Sequence, residues 1–171
     1  MDPIQEQFER SVGEEFFEWF NKKYHTDYFY VGRPDEAPDL HYSSSDRKDI
    51  FVEITGAYYD AKHSTFLWKS IRGVKNAPDS WAGAEPNKKL ANDIRECIKI
   101  KSNKRYGSNT ILLVVVPPGV TTAEDLKVLL ENNISILNSP FMGIYAAGTF
   151  PITKLSKGGY RVITIKKLEK Y

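Results

Sequence analysis

Two short runs in which apolar and polar residues alternate stand close together early in the chain. They are Leu40-His41-Tyr42, directly after Pro38-Asp39, and Ile50 to Thr55. The polar hexapeptide Ser43 to Lys48 between them predicts a hairpin with a loose turn. In the second run Ile50, Val52 and Ile54 share one face, and Phe51, Glu53 and Thr55 the other, by the two-residue period of a strand. Upstream, Asp2-Pro3 is a cap and first-turn pair that opens a helix to about Tyr24, with Phe8, Val12, Phe16, Trp19 and Phe20 as its apolar stripe. Thr26 to Val31 reads as a first strand, ended by Gly32 and Pro34. Downstream, Asn87 to Lys101 has helical periodicity. Leu90, Ile94, Cys97 and Ile98 share a face, and Asn87 and Lys101 fall on the same side. Ile111 to Val116 is a continuous apolar run closed by Pro117-Pro118-Gly119, the pattern of a buried central strand. Strand, helix and buried strand together predict a right-handed crossover unit.

The remainder predicts a helix capped by Thr121 or Thr122 and running to about Asn132, then short strands over Ile134 to Leu137 and Met142 to Ala147. A final hairpin is expected from Ile152 to Leu155 and Tyr160 to Leu168, turning at Lys157-Gly158-Gly159. The order is helix, three strands, helix, strand, then a C-terminal helix and strands. This is an α/β fold, bordering on α+β, with a mixed central sheet flanked by helices. At 171 residues it is one domain, 1–171, large enough to bury a core. The irregular part is 56–86, a long loop or insertion in which Lys62, His63, Trp68, Lys69, Arg72 and Trp81 mix bases with aromatics. Such a loop serves either as a nucleic-acid contact surface or as a satellite core folded over the sheet.

Composition changes this picture little. One cysteine, Cys97, excludes an intrachain disulfide and a cysteine-rich zinc site, and points to a cytoplasmic protein. No apolar run approaches the ~20 residues of a membrane span, and the acidic, Phe-rich start does not read as a signal peptide. A formal charge of +2 permits nucleic-acid binding only through local clusters. Walker loops, dinucleotide fingerprints, zinc spacings and repeats are absent.

The chemistry therefore rests on the hairpin. Glu53 lies mid-strand between an aromatic and a β-branched residue, and desolvating such a charge is expensive unless a partner or metal offsets it. Asp39, at the start of the antiparallel partner run, is its companion, and two convergent carboxylates suit a hard, oxygen-preferring cation. Pro38-Asp39 followed by Glu53-Ile54-Thr55 resembles the motif of the PD-(D/E)xK, or restriction-endonuclease-like, nuclease superfamily, and the order of elements matches that family's core. The family carries a lysine where this chain has Thr55.

The resemblance implies a Mg²⁺-dependent endonuclease or phosphodiesterase acting on DNA, with Mn²⁺ able to substitute. Asp39, Glu53 and the backbone carbonyl of Ile54 would hold the metal, and Thr55 would hydrogen-bond a water or substrate oxygen. The displaced lysine would come from Lys88 or Lys89, in the first turn of the crossover helix, or from Lys62 or Lys69 of the loop. Lys101, about 20 Å further along that helix, is expected to be out of reach. Lys101, Lys104 and Arg105 then read as charges complementing the helix C-terminus or as phosphate contacts. The first helix of the family often adds an acidic residue, a role that falls to Glu15, inside the apolar stripe, with Glu9 near the stripe as the other choice. Cutting two antiparallel strands would favour a homodimer. The alternative implied by Thr55 is a nuclease-like domain without catalysis that binds nucleic acid or a partner protein.

Overall fold

A computed structural model describes residues 2–57, 86–118, 121–131, 136, 138–152 and 158–169. Helix α1, Pro3–Tyr24, starts where the Asp2 carboxylate accepts the Ile4 amide at 3.0 Å, with proline in the first turn. It stops at His25, which adopts φ 53°. The Asn21 side chain then fastens the exit by accepting from Thr26 Oγ1 and Tyr28 N and donating to Tyr28 O. Strands β1 (Phe29–Gly32), β2 (Leu40–Ser43) and β3 (Ile50–Gly56) follow, then α2 (Pro86–Ser102), β4 (Thr110–Val115), α3 (Ala123–Leu130), β5 (Gly143–Phe150) and β6 (Gly159–Lys166).

The six strands form one mixed sheet in sequence order. β1, β2 and β3 pair antiparallel, β3, β4 and β5 pair parallel, and β6 returns antiparallel on β5. Among the described residues the fold is α/β, with three helices around this sheet. None of those helices is long and apolar enough to cross a membrane. The parallel steps are bridged by α2 and α3, and β4 is buried almost throughout because it has a layer on each face. Leu90, Ala91, Ile94 and Ile98 of α2 pack with Leu112 and Val114 on one face. Phe16, Phe17 and Phe20 of α1 pack with Ile50, Val52, Ile54, Ile111 and Leu113 on the other.

The helix-hairpin-helix-strand order follows the hydrophobic pattern closely. The final strand differs: β6 pairs with β5, Phe150 opposite Gly159, so the hairpin arm is the 143–150 strand. All but Ile136 of the expected strand over Ile134 to Leu137, most of the arm at Ile152 to Leu155, and the basic aromatic segment 58–85 lie outside the described residues.

Helix α1 is turned relative to its expected stripe. Its buried residues are Glu9, Gly13, Phe16, Phe17 and Phe20. Gly13 is the reason: a Cβ there would stand 2.4 Å from Leu40 Cδ1 and 2.6 Å from the Tyr42 hydroxyl. The helix settles onto β2 through its glycine, which no count of apolar side chains registers. Tyr42 cannot move aside, since its ring stacks on Phe17 at 3.9 Å and is 1% exposed. Gly13→Val should therefore destabilise the protein by roughly 1–3 kcal/mol through overpacking. Urea unfolding measures this, and a variant as stable as the parent would show that the helix is not seated on Gly13.

Candidate functional site

The site begins where β2 parts from β3. The pairing of the two strands ends at Leu40 opposite Val52, and beyond it the Asp39 side chain takes over: Oδ2 accepts the Ile54 amide at 2.8 Å. On β3 the amides of Phe51 and Ala57 are donated to β4-side carbonyls, Asn109 O and Val115 O. By alternation Ile54 turns its N–H and its C=O to the β2 side, into the opening that Asp39 borders. Leu40 and Tyr42 are buried toward α1, so His41 projects to the α2 face. His41 stacks there on Phe51 at 4.5 Å. Glu53 projects to that face as well, opposite Leu112 in register.

Glu9 and Glu53 are the only buried charged residues among the described ones, at 7% and 3% exposure. Each has a cation. Lys101 Nζ, from the last turn of α2, donates to Glu53 Oε1. Arg33, between β1 and β2, donates through Nη1 to Glu9 Oε2 and through Nη2 to Asp39 Oδ1 at 3.0 Å. Glu53 Oε2 and the hydroxyl of Tyr106, in the loop after α2, are both buried and meet no other hydrogen-bond partner, and the two side chains interact with each other. Burial, and then the charge of Glu53, push the Tyr106 phenol up. Three carboxylates thus share two cations. The surplus falls on Asp39, whose carboxyl is pushed up to about 6 by burial first, then by the charges of Glu53 and Glu9. The Ile54 amide and Arg33 act in the opposite direction.

Of the residues read as metal ligands, Asp39 is joined to the Ile54 amide and feels the charge of Glu53, the neighbouring residue on β3. Thr55 lies next along the same face, but its hydroxyl is directed to the Cys97 thiol. The lysine is different: Lys88 and Lys89 are exposed in the first turn of α2, whereas Lys101 touches Glu53. Because α2 runs antiparallel to β3, it passes over the strand from its end to its beginning. Cys97 Sγ reaches Gly56 O at 3.5 Å, and one turn later Lys101 stands over the strand's middle. The expectation that Lys101 was too far away took the site to be at the end of β3, whereas Glu53 sits at its centre. A lysine on the apolar face of an amphipathic helix was the available signal.

The buried acidic residue of α1 is Glu9, which pairs with Arg33. Glu15 is exposed on another side of the helix, where partial burial and Glu18 raise its carboxyl. Arg33 and Tyr106 carried no motif. Lys62 and Lys69 lie outside the described residues.

The oxygens that could face a cation are Glu53 Oε2, the Asp39 carboxylate and the Ile54 carbonyl, donors of the type a hard divalent ion takes. Among the described residues no three His, Cys, Asp or Glu side chains are grouped as metal ligands. In comparisons with known proteins, the chain matches no family model, no curated protein and no solved structure.

The raised Asp39 value has a definite sign. The unfolded carboxyl releases its proton near 3.8 and the folded one near 6. Asp39's contribution to stability is therefore complete below about pH 4 and is lost as the pH rises to about 6. Carboxyl-detected NMR should give Asp39 a midpoint near 6, moving down in Glu53→Gln as the like charge is removed. A midpoint at the ordinary aspartate value would contradict this description of the site.

Proposed function

We propose that the chain is a metal-dependent phosphodiesterase acting on DNA, a divergent PD-(D/E)xK nuclease with a restriction-endonuclease-like core. The observation that carries the reading is Lys101: a lysine from the crossover helix stands beside Glu53, where the family's motif lysine would act and this chain has Thr55. The α1 layer, the mixed sheet and the buried glutamate contributed by the first helix support it further.

Glu53, Asp39 and the Ile54 carbonyl would hold Mg²⁺ or Mn²⁺, which when bound lends Lewis acidity toward the scissile phosphate. The chain's own groups do the rest. Arg33, braced by Glu9, fixes the orientation of Asp39, and the Ile54 amide fixes its other oxygen. The Lys101 ammonium orients the attacking water and faces the charge that develops on the phosphoryl oxygens. Tyr106 offers a protonated hydroxyl beside Glu53, since burial raises its phenol further.

A second reading has one observation in its favour. Glu53 and Asp39 are already engaged by Lys101 and Arg33, the arrangement of a carboxylate cluster neutralised for structure in a binding domain without turnover.

The test is plasmid cleavage with Mg²⁺ or Mn²⁺, beside calorimetric metal titration. Asp39→Asn and Glu53→Gln should abolish cleavage and metal binding while the circular dichroism spectrum persists. Lys101→Gln should lower cleavage by about 10²–10³-fold while metal binding remains. Undiminished cleavage in Asp39→Asn would remove the assignment; bound metal without turnover on DNA or RNA would favour the binding domain.

A further inference from the structure

Across the sheet from the acidic cluster, β6 borders a groove of about 590 Å³. Its floor is the outer edge of β6 at Arg161 to Thr164. One wall is the last turn of α1, with Lys23 and Tyr24, and the other is the first part of α3, with Glu124 and Lys127. α1 and α3 lie on opposite faces of the sheet, so the groove straddles the strand edge with a helix on each side.

Ladder parity shows what the floor offers. Val116 donates to the Ala147 carbonyl at 2.9 Å, so odd-numbered residues of β5 face β4 and even-numbered ones face β6. The bonded pairs with β6 are then Ala146 with Ile163, Gly148 with Arg161 and Phe150 with Gly159. Tyr160, Val162 and Thr164 turn both N–H and C=O outward, away from β5. Among the described residues β6 pairs with β5 alone, and no strand lies beyond it. The groove therefore presents a row of alternating donors and acceptors at strand spacing.

Its charge is lopsided. Lys23, Lys127, Arg161 and Lys167 border it against the single carboxylate of Glu124. Two copies of this edge brought together would double the positive charge. A phosphate backbone would satisfy the cations but offers only acceptors, leaving the outward carbonyls facing anionic oxygen. An extended peptide satisfies both sets of backbone groups. Because its side chains alternate between the α1 wall and the α3 wall, carboxylates at either parity would meet a lysine.

We infer that the β6 edge is a docking groove for an extended acidic segment of a partner protein, which adds to the sheet as a seventh strand. It stands three strands from β3, about 14 Å across the sheet, and does not depend on the nuclease reading.

The probe is a peptide of about eight residues, an ordinary strand length, alternating Glu or Asp with Val or Thr, titrated into the ¹⁵N-labelled full chain. Shifts should concentrate on Tyr160 to Lys167, and the Val162 and Thr164 amides should become protected from hydrogen exchange. The double variant Arg161→Glu with Lys127→Glu, at two exposed positions, should weaken binding on the order of tenfold without altering the circular dichroism spectrum. A proline placed mid-peptide should abolish binding, since it cannot donate to the added ladder.

Acidic-peptide binding indifferent to that proline would overturn strand addition in favour of plain charge attraction. Shifts at the same residues with duplex DNA and none with peptide would identify a nucleic-acid surface instead. Silence with both would mean that the cations only guard an edge strand against aggregation.

Discussion

Glu53 is a carboxylate at 3% exposure in the middle of a strand, beneath a helix. Leaving such a charge unpaired in the interior costs several kcal/mol, and the surrounding structure is arranged around that requirement. α2 places Lys101 over the middle of β3, and its next loop brings Tyr106 in from the side. β2 leaves β3 two residues before it would cover the Ile54 backbone, and the Asp39 side chain accepts the amide that the strand leaves open. Arg33 then joins Asp39 to Glu9, so the first helix is drawn into the same network. Glu53 Oε2 is one of seven buried side-chain oxygens among the described residues without a hydrogen-bond partner, and the only one that belongs to a carboxylate.

The sequence was informative wherever periodicity is strong. The alternation at Ile50 to Thr55 put Glu53 opposite the α1-facing residues. The apolar run at Ile111 to Val116 gave the central strand, and Asp2-Pro3 gave the start of α1. The acidic pair was legible for the same reason, because a charged residue inside an otherwise β-branched run is conspicuous. What could not be read depended on distances between elements. The choice between Glu9 and Glu15 turned on the seating of Gly13 against Leu40 and Tyr42, which apolar counting does not see. The choice among lysines turned on where along β3 the carboxylate meets an antiparallel helix. Lys101 had already fallen on the apolar side of α2, so the missing information was three-dimensional offset rather than pattern. Arg33 lies in a loop with no periodicity to interpret.

The two polar regions of the molecule differ in character. Around Glu53 the charges are buried, few and individually engaged. Around β6 they are exposed, mostly of one sign, and spread over two helices and a strand. The first arrangement suits chemistry on a small number of atoms held in place, the second suits recognition of a longer charged chain.

Both regions are fastened to the same rod. α1 carries Glu9 at the β2 side of the sheet and Lys23 at the β6 side, and its 22 residues extend about 33 Å. Between these ends it is keyed to β2 through Gly13 and Phe17, and to β5 through Phe16 against Tyr145. Successive residues of a helix are about 100° apart, so inserting or deleting a single residue between Glu9 and Lys23 would swing one end by that angle relative to the other. The length of this stretch is thereby fixed more tightly than its composition: side chains along its outer face are free to change, but the number of residues is not.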